Sequence, residues 1–255
     1  TAAFFATGAY TALVVILAFK AALPVQILAG GLAAGLLGLG IGYLTLRLRG
    51  VFFSIATLAL SVVLQTAVMN WEYVGAGKGL SIIRPRPPAL FASHAEYLFV
   101  VMVLLAAGSV ALAWWIENSW LGRGLAAIRD NEEAAECMGV PTLRLKLLAT
   151  TASGFLMGVA GTPFPYYVTL VEPVSVFSLD YAVNSLAMPM IGGTTTWIGP
   201  VVGAILLGTA QQVTTVTISS ELNLLIVGIV LVAFVMLAPQ GIVGLAERLF
   251  RRRRD

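Results

Sequence analysis

The sequence predicts an all-α, polytopic transmembrane helix bundle of about eight apolar segments, one of them short or re-entrant. Three observations carry that expectation. Apolar residues make up 59% of the chain and charged residues 11%, against roughly 45–50% and 25% in soluble domains, and the mean hydropathy is +0.93. The apolar residues fall mostly into blocks of about 17 to 23, the length a helix needs to cross a hydrocarbon core. The short alternating segments of a β-barrel are missing from the pattern. At 255 residues and about 20 per span, the chain has room for seven or eight helices, read as one transmembrane domain over 1–255.

In order, the apolar runs cover 2–19, 24–46, 51–71, 97–116, 147–170, 181–191, 198–216 and 222–238. The second run holds Gly31-x-x-x-Gly35 and Gly38-x-x-x-Gly42, a spacing of small residues that lets helix backbones approach. It is expected at the centre of the bundle. The sixth run, 181–191, is about half the length of a full span and reads as a short or re-entrant segment. Between the sixth and seventh runs, Gly192, Gly193, Gly199 and Pro200 read as a break on which the two segments can hinge. Thr1 opens the chain with no charged region before the first apolar run, so neither a start methionine nor a signal peptide is read, and further sequence is expected ahead of Ala2.

Lysine and arginine placement sets the orientation. With the Arg47/Arg49 turn, the 117–146 loop and the C-terminus on one side, that side collects eleven basic residues, against Lys20, Lys78, Arg84 and Arg86 on the other. The 117–146 loop and the basic tail 246–255 are therefore expected in the cytoplasm, with 72–96 outside. The same distribution accounts for the pI near 9.2: the charge faces anionic headgroups and calls for no nucleic acid.

The long polar stretch 117–146 holds the clearest local signal. In Asp130-Asn131-Glu132-Glu133 an acceptor side chain precedes a glutamate by three residues, the pattern of a capping box with Asp130 as N-cap. Ala134, Ala135, Cys137 and Met138 continue the helix, Gly139 stands where a left-handed C-cap falls, and Pro141 ends it. About two turns are too few to be stable alone in water. This helix needs something to dock against.

Sites of chemistry are sparse. One cysteine, Cys137, and one histidine, His94, argue against a disulfide and a metal centre. Gly75-Ala76-Gly77-Lys78-Gly79 lacks the spacing of a phosphate-binding loop. No nucleophile has a base beside it, so no enzyme is read. No Asp, Glu, Lys or Arg lies inside an apolar run, whereas proton-coupled carriers keep such a group at the midplane. The energy source is expected elsewhere. The polar residues that enter the runs are amides and hydroxyls, and among them Gln65 and Asn184, with neighbouring Ser185, are the candidates for lining a solute path.

Glu133-Ala134-Ala135-x-x-x-Gly139 resembles the coupling-loop signature of ABC importer permeases. Further matches run in order along the chain: Gly8-Ala9-Tyr10-Thr11-Ala12, Leu46-Arg47-Leu48-Arg49-Gly50, Gly77-Lys78-Gly79-Leu80-Ser81, Ser119-Trp120-Leu121-Gly122-Arg123, Ile191-Gly192-Gly193-Thr194, Trp197-Ile198-Gly199-Pro200 and Pro239-Gln240-Gly241-Ile242. Together they resemble the permease subunits of branched-chain amino acid ABC importers, the LivM type. The resemblance implies a permease of the inner membrane working with cytoplasmic ATP-binding subunits, a second permease subunit and an external solute-binding protein. ATP would be hydrolysed by the partners, with no cofactor on this chain. Glu132, Glu133, Ala134, Ala135 and Gly139 would sit in a groove of the ATPase. A urea or short-amide permease is the alternative within the class, and a stand-alone secondary transporter or channel the alternative outside it.

Overall fold

The computed structural model describes residues 2–45, 51–82, 91, 93–194, 196–217 and the single positions 228, 241, 242 and 244. Eleven α-helices appear among them: α1 (Ala2–Phe19), α2 (Leu23–Thr45), α3 (Val51–Met69), α4 (His94–Asn118), α5 (Trp120–Asp130), α6 (Glu132–Cys137), α7 (Thr142–Gly161), α8 (Phe164–Val168), α9 (Pro173–Val176), α10 (Leu179–Gly192) and α11 (Ile198–Thr217). The expected all-α transmembrane bundle is what they form. Five helical stretches are long and apolar enough to cross a membrane: Ala2–Phe19, Leu23–Thr45, His94–Asn118, Thr142–Val168 and Pro173–Gly192. A sixth counts if Ile55–Met69 and the turns Glu72–Lys78, bent by 78° from it, make one broken span.

The sixth apolar run is longer in the structure than its sequence suggests. α10 has 14 residues with Pro189 inside it, and only together with α9 does it reach the 20 residues of a span. The eighth run, 222–238, lies outside the described residues apart from Gly228, as do the Arg47/Arg49 turn, the proline-rich 83–90 and the basic tail.

Contacts divide the chain into two units, Thr1–Leu179 and Asp180–Asp255. In the first, α1, α2 and α7 form the packed centre, and α2 occupies the position its glycines predict. Gly31 lies against Phe155 and Val159, a Cβ added to Gly38 would stand only 3.0 Å from the Thr150 carbonyl oxygen, and Gly42 lies against Leu147 and Thr150. Gly40, on another face, has nothing near it. α1 crosses the same seam, where a Cβ on Gly8 would collide with the Gly158 backbone.

One buried polar tie was not legible in the sequence. Gln26 is 1% exposed, its side-chain nitrogen donates to the Ala21 carbonyl at 2.7 Å, and its oxygen accepts from the Tyr166 hydroxyl at 2.7 Å. Beyond α8, strand β2 (Leu170–Val171) pairs antiparallel with β1 (Leu80–Ser81), and the Ile82 amide donates to the Thr169 carbonyl at 2.8 Å. In the chain this small cap follows α8, beyond the end of α7 away from α6. With 20 residues in α7 at 1.5 Å each, the two ends stand about 30 Å apart.

In the second unit α10 and α11 meet through Gly192, Gly199 and Gly203, where added Cβ atoms would strike the carbonyls of Gly199, Gly193 and Met188 respectively. Ala187, Ile191 and Leu207 form its buried apolar cluster.

Candidate functional site

The 119–146 segment folds as two short helices rather than one. Ser119 caps α5, accepting from the Gly122 amide at 3.4 Å, and α5 presents Leu121, Leu125 and Ile128 on one half-buried face, the 3.6-residue periodicity of a helix lying on a surface. α6 then starts one residue later than a capping box on Asp130 requires. Asp130 is the last residue of α5, and Asn131 is the N-cap, its side-chain oxygen accepting from the Ala134 amide at 3.0 Å. Asn131 has the extended backbone an N-cap needs, φ −160° and ψ 111°. The third helical position is thereby Ala134, so Glu133 does not close a box.

The C-terminal end follows the glycine. Gly139 has φ +83°, its amide donates to Glu136 at 2.9 Å, and the Val140 amide donates to Ala135 at 3.0 Å. These two bonds make a Schellman motif. They satisfy carbonyls that a six-residue helix would otherwise leave to solvent.

α6 is tied to the foot of α7 on one side. Lys146 Nζ reaches the Glu132 carboxylate at 2.5 Å, Thr142 Oγ1 donates to the Glu136 carboxylate at 2.6 Å, and Ala135 is buried. Glu133, Ala134 and Cys137 are exposed, and Met138 is 85% exposed. Glu132 and Glu133 in the first turn complement the positive end of the helix dipole. The arrangement offers a rigid, acidic and partly apolar knob whose far side is anchored to a membrane-spanning helix.

The family model described as "Branched-chain amino acid transport system / permease component" matches residues 1–235. The chain belongs to this permease family. Among curated relatives, the high-affinity branched-chain amino acid transport system permease protein LivM of Escherichia coli (strain K12) is 28% identical over 274 residues, covering 96% of this chain and 63% of that protein. LivM of Salmonella typhimurium is 27% identical with the same coverage. The chain therefore spans a little under two thirds of the length of these relatives. A shorter match, 27% over 105 residues and 38% of this chain, is to the ribose import permease protein RbsC of Haemophilus influenzae. No solved structure matches the chain.

The remaining site residues read from sequence fall in both units. Gln65 is half-buried on α3 in the first unit. Asn184 and Ser185 lie on α10 in the second, where Gln211 Nε2 donates to Asn184 Oδ1 at 2.8 Å, while the Ser185 hydroxyl turns back to the Ala182 carbonyl at 2.8 Å. Thr66, Thr150, Thr151 and Thr209 likewise donate to carbonyls four residues back in their own helices, a common resort of hydroxyls in apolar helices. Gly192, Gly193 and Gly199 are buried, and Pro200 is half-buried in the first turn of α11. Two residues that the sequence did not single out stand apart chemically. The Tyr10 hydroxyl is buried without a hydrogen-bond partner among the described residues, and Glu172 is an exposed carboxylate at the start of α9.

Proposed function

We propose that this chain is the permease subunit of an ATP-driven ABC importer that moves a branched-chain or related amino acid across the inner membrane. The observation that carries the proposal is α6 itself. A permease that draws its energy from another protein needs a small, rigid surface element fixed to a spanning helix, and a six-residue helix capped at both ends and tied to α7 has that form. In this reading Glu132 and Glu136 hold the helix to α7, while Glu133, Ala134 and the turn at Gly139 enter a groove of a cytoplasmic ATP-binding subunit. A second permease subunit completes the pathway, and an external solute-binding protein delivers the solute. ATP is consumed by the partners, and this chain carries no cofactor.

Residues 1–255 act as one permease domain with the 117–146 loop and the 246–255 tail in the cytoplasm. Gln65, Asn184 and Ser185 border the solute path, and Gly192, Gly193, Gly199 and Pro200 let α10 move against α11. Membership in a family described by branched-chain amino acid transport supports the solute class. The deciding experiment is reconstitution of the chain with its partner subunits in vesicles holding ATP and the binding protein on opposite sides. Leucine accumulation that requires both is expected; accumulation without ATP or partners would replace this reading with a stand-alone carrier.

A further inference from the structure

We infer that the Asn184–Gln211 hydrogen bond is a latch that opens during transport, letting the first half of α10 swing away from α11 about a pivot of packed glycines. The inference rests on the importer reading above and names the part of α10 that moves.

α10 and α11 are held differently at their two ends. Beside the turn that joins them the contact is backbone on backbone, through Gly192, Gly199 and Gly203, and Gly241 stands against the Gly193 backbone as well. Ala187, Ile191 and Leu207 pack next to it. Asn184 lies eight residues before Gly192, and Gln211 lies eight residues after Gly203. The amide bond therefore stands about 12 Å from the glycine contact along either helix.

Burial falls off in the same direction. The buried residues of α10 are Ala187, Ile191 and Gly192, with none ahead of Ala187. On α11 Gly199, Gly203 and Leu207 are buried, and no residue from Gly208 to Val213 is. The end with the fewest buried contacts is the one that opens at least cost. Pro189 lies within α10 between these two regions and offers no amide to the Ser185 carbonyl four residues back, so the helix can bend there without breaking a bond at that step. Gln211 Nε2, donating to Asn184 Oδ1 at 2.8 Å, ties the bending half to α11.

The chemistry suits a contact that is made and broken. A permanently closed end is held as well by apolar side chains, of the kind that Leu207 supplies one turn away. Neutral amides can instead exchange each other for water or a polar solute when the helices part. Such a bond between membrane helices shifts an opening equilibrium by only roughly three- to thirtyfold, which leaves the latch reversible.

Two measurements test it. In the first, Asn184→Cys and Gln211→Cys are combined in a Cys137→Ser background, and the full complex in vesicles is bridged with either a short or a long, flexible bis-thiosulfonate reagent. Leucine uptake is compared with that of the same variant before bridging. The short bridge should abolish uptake, the long one should leave it, and a reductant should restore what the short bridge removes. Equal uptake under the two bridges, whether kept or lost, overturns the latch. The second measurement needs no uptake. Ala187 is 0% exposed, so the rate at which a thiol reagent labels Ala187→Cys in the Cys137→Ser complex reports opening. Gln211→Met should raise that rate roughly three- to thirtyfold and leave labelling of Leu13→Cys, at a fully buried position of the first unit, unchanged. No rise at Ala187→Cys, or an equal rise at both cysteines, also overturns the latch. The ATP dependence of wild-type uptake, measured in parallel, reports separately on the importer reading.

Discussion

Lys146 Nζ lies 2.5 Å from the Glu132 carboxylate, which ties the first turn of a six-residue helix to the second turn of a membrane-spanning one. Both side chains are partly exposed, so the pair contributes no more than about 1 kcal/mol to stability. Its consequence is mechanical. With the Thr142–Glu136 hydrogen bond beside it, it joins α6 to the foot of α7 at two points.

Lys146→Met should therefore leave thermal stability within about 1 kcal/mol of wild type but lower ATP-driven uptake. The exchanged pair Lys146→Glu with Glu132→Lys should restore part of the uptake lost by either single change. Thermal unfolding and vesicle uptake check this together; an exchange no better than the single variants would remove the tie from the coupling account.

The buried Gln26–Tyr166 bond gives a stability prediction. Gln26→Leu removes the acceptor of the Tyr166 hydroxyl bond and the donor to the Ala21 carbonyl, and should cost about 1–3 kcal/mol. Pairing it with Tyr166→Phe removes the other half of the bond and should cost less than the sum of the two single changes. Denaturant unfolding in detergent of the two single variants and the double closes the cycle.

Packing of α1 on α7 depends on Gly8. Gly8→Ala places a methyl where the Gly158 backbone stands and should destabilise the chain by about 1–3 kcal/mol, the range for overpacking. Gly40→Ala, at an exposed position with nothing within 4 Å, should be neutral or slightly stabilising. Melting temperatures of the two variants side by side separate a tight seam from a general intolerance of alanine.

The proposed orientation is testable with one native residue and one introduced. Cys137 is exposed on α6, and Lys78 is exposed beside the β1–β2 cap. In intact cells an impermeant thiol reagent should leave Cys137 unlabelled and should label Lys78→Cys in a Cys137→Ser background. The reverse pattern would invert the topology.

How much of this was legible in the sequence depended on the range of the interaction. α2 could be placed at the centre because its glycine spacing is a local pattern, and Gly139 could be assigned a left-handed turn because glycine and the following proline mark it within three residues. The start of α6 was misplaced by one residue because Asp130 and Asn131 are adjacent acceptors of equal merit, and only the continuation of α5 through Asp130 decides between them. α5 itself was hidden by Gly122 and Gly124, which weaken helical propensity, although Leu121, Leu125 and Ile128 carry the period. Gln26 went unnoticed because its partner Tyr166 is 140 residues away.

The central claim, that α6 couples this permease to an ATP-binding partner, is tested most directly by Gly139→Val. Gly139 holds φ +83° with nothing within 4 Å of an added Cβ, so the substitution acts through backbone strain alone, roughly 1–2 kcal/mol, and leaves the spanning helices untouched. The measurement is co-purification of the ATP-binding subunits with the membrane-inserted variant, together with ATP-driven leucine uptake, and Glu133→Arg measured in parallel. The account predicts normal insertion with both association and uptake markedly reduced in each variant. Normal association together with normal uptake in both would contradict it.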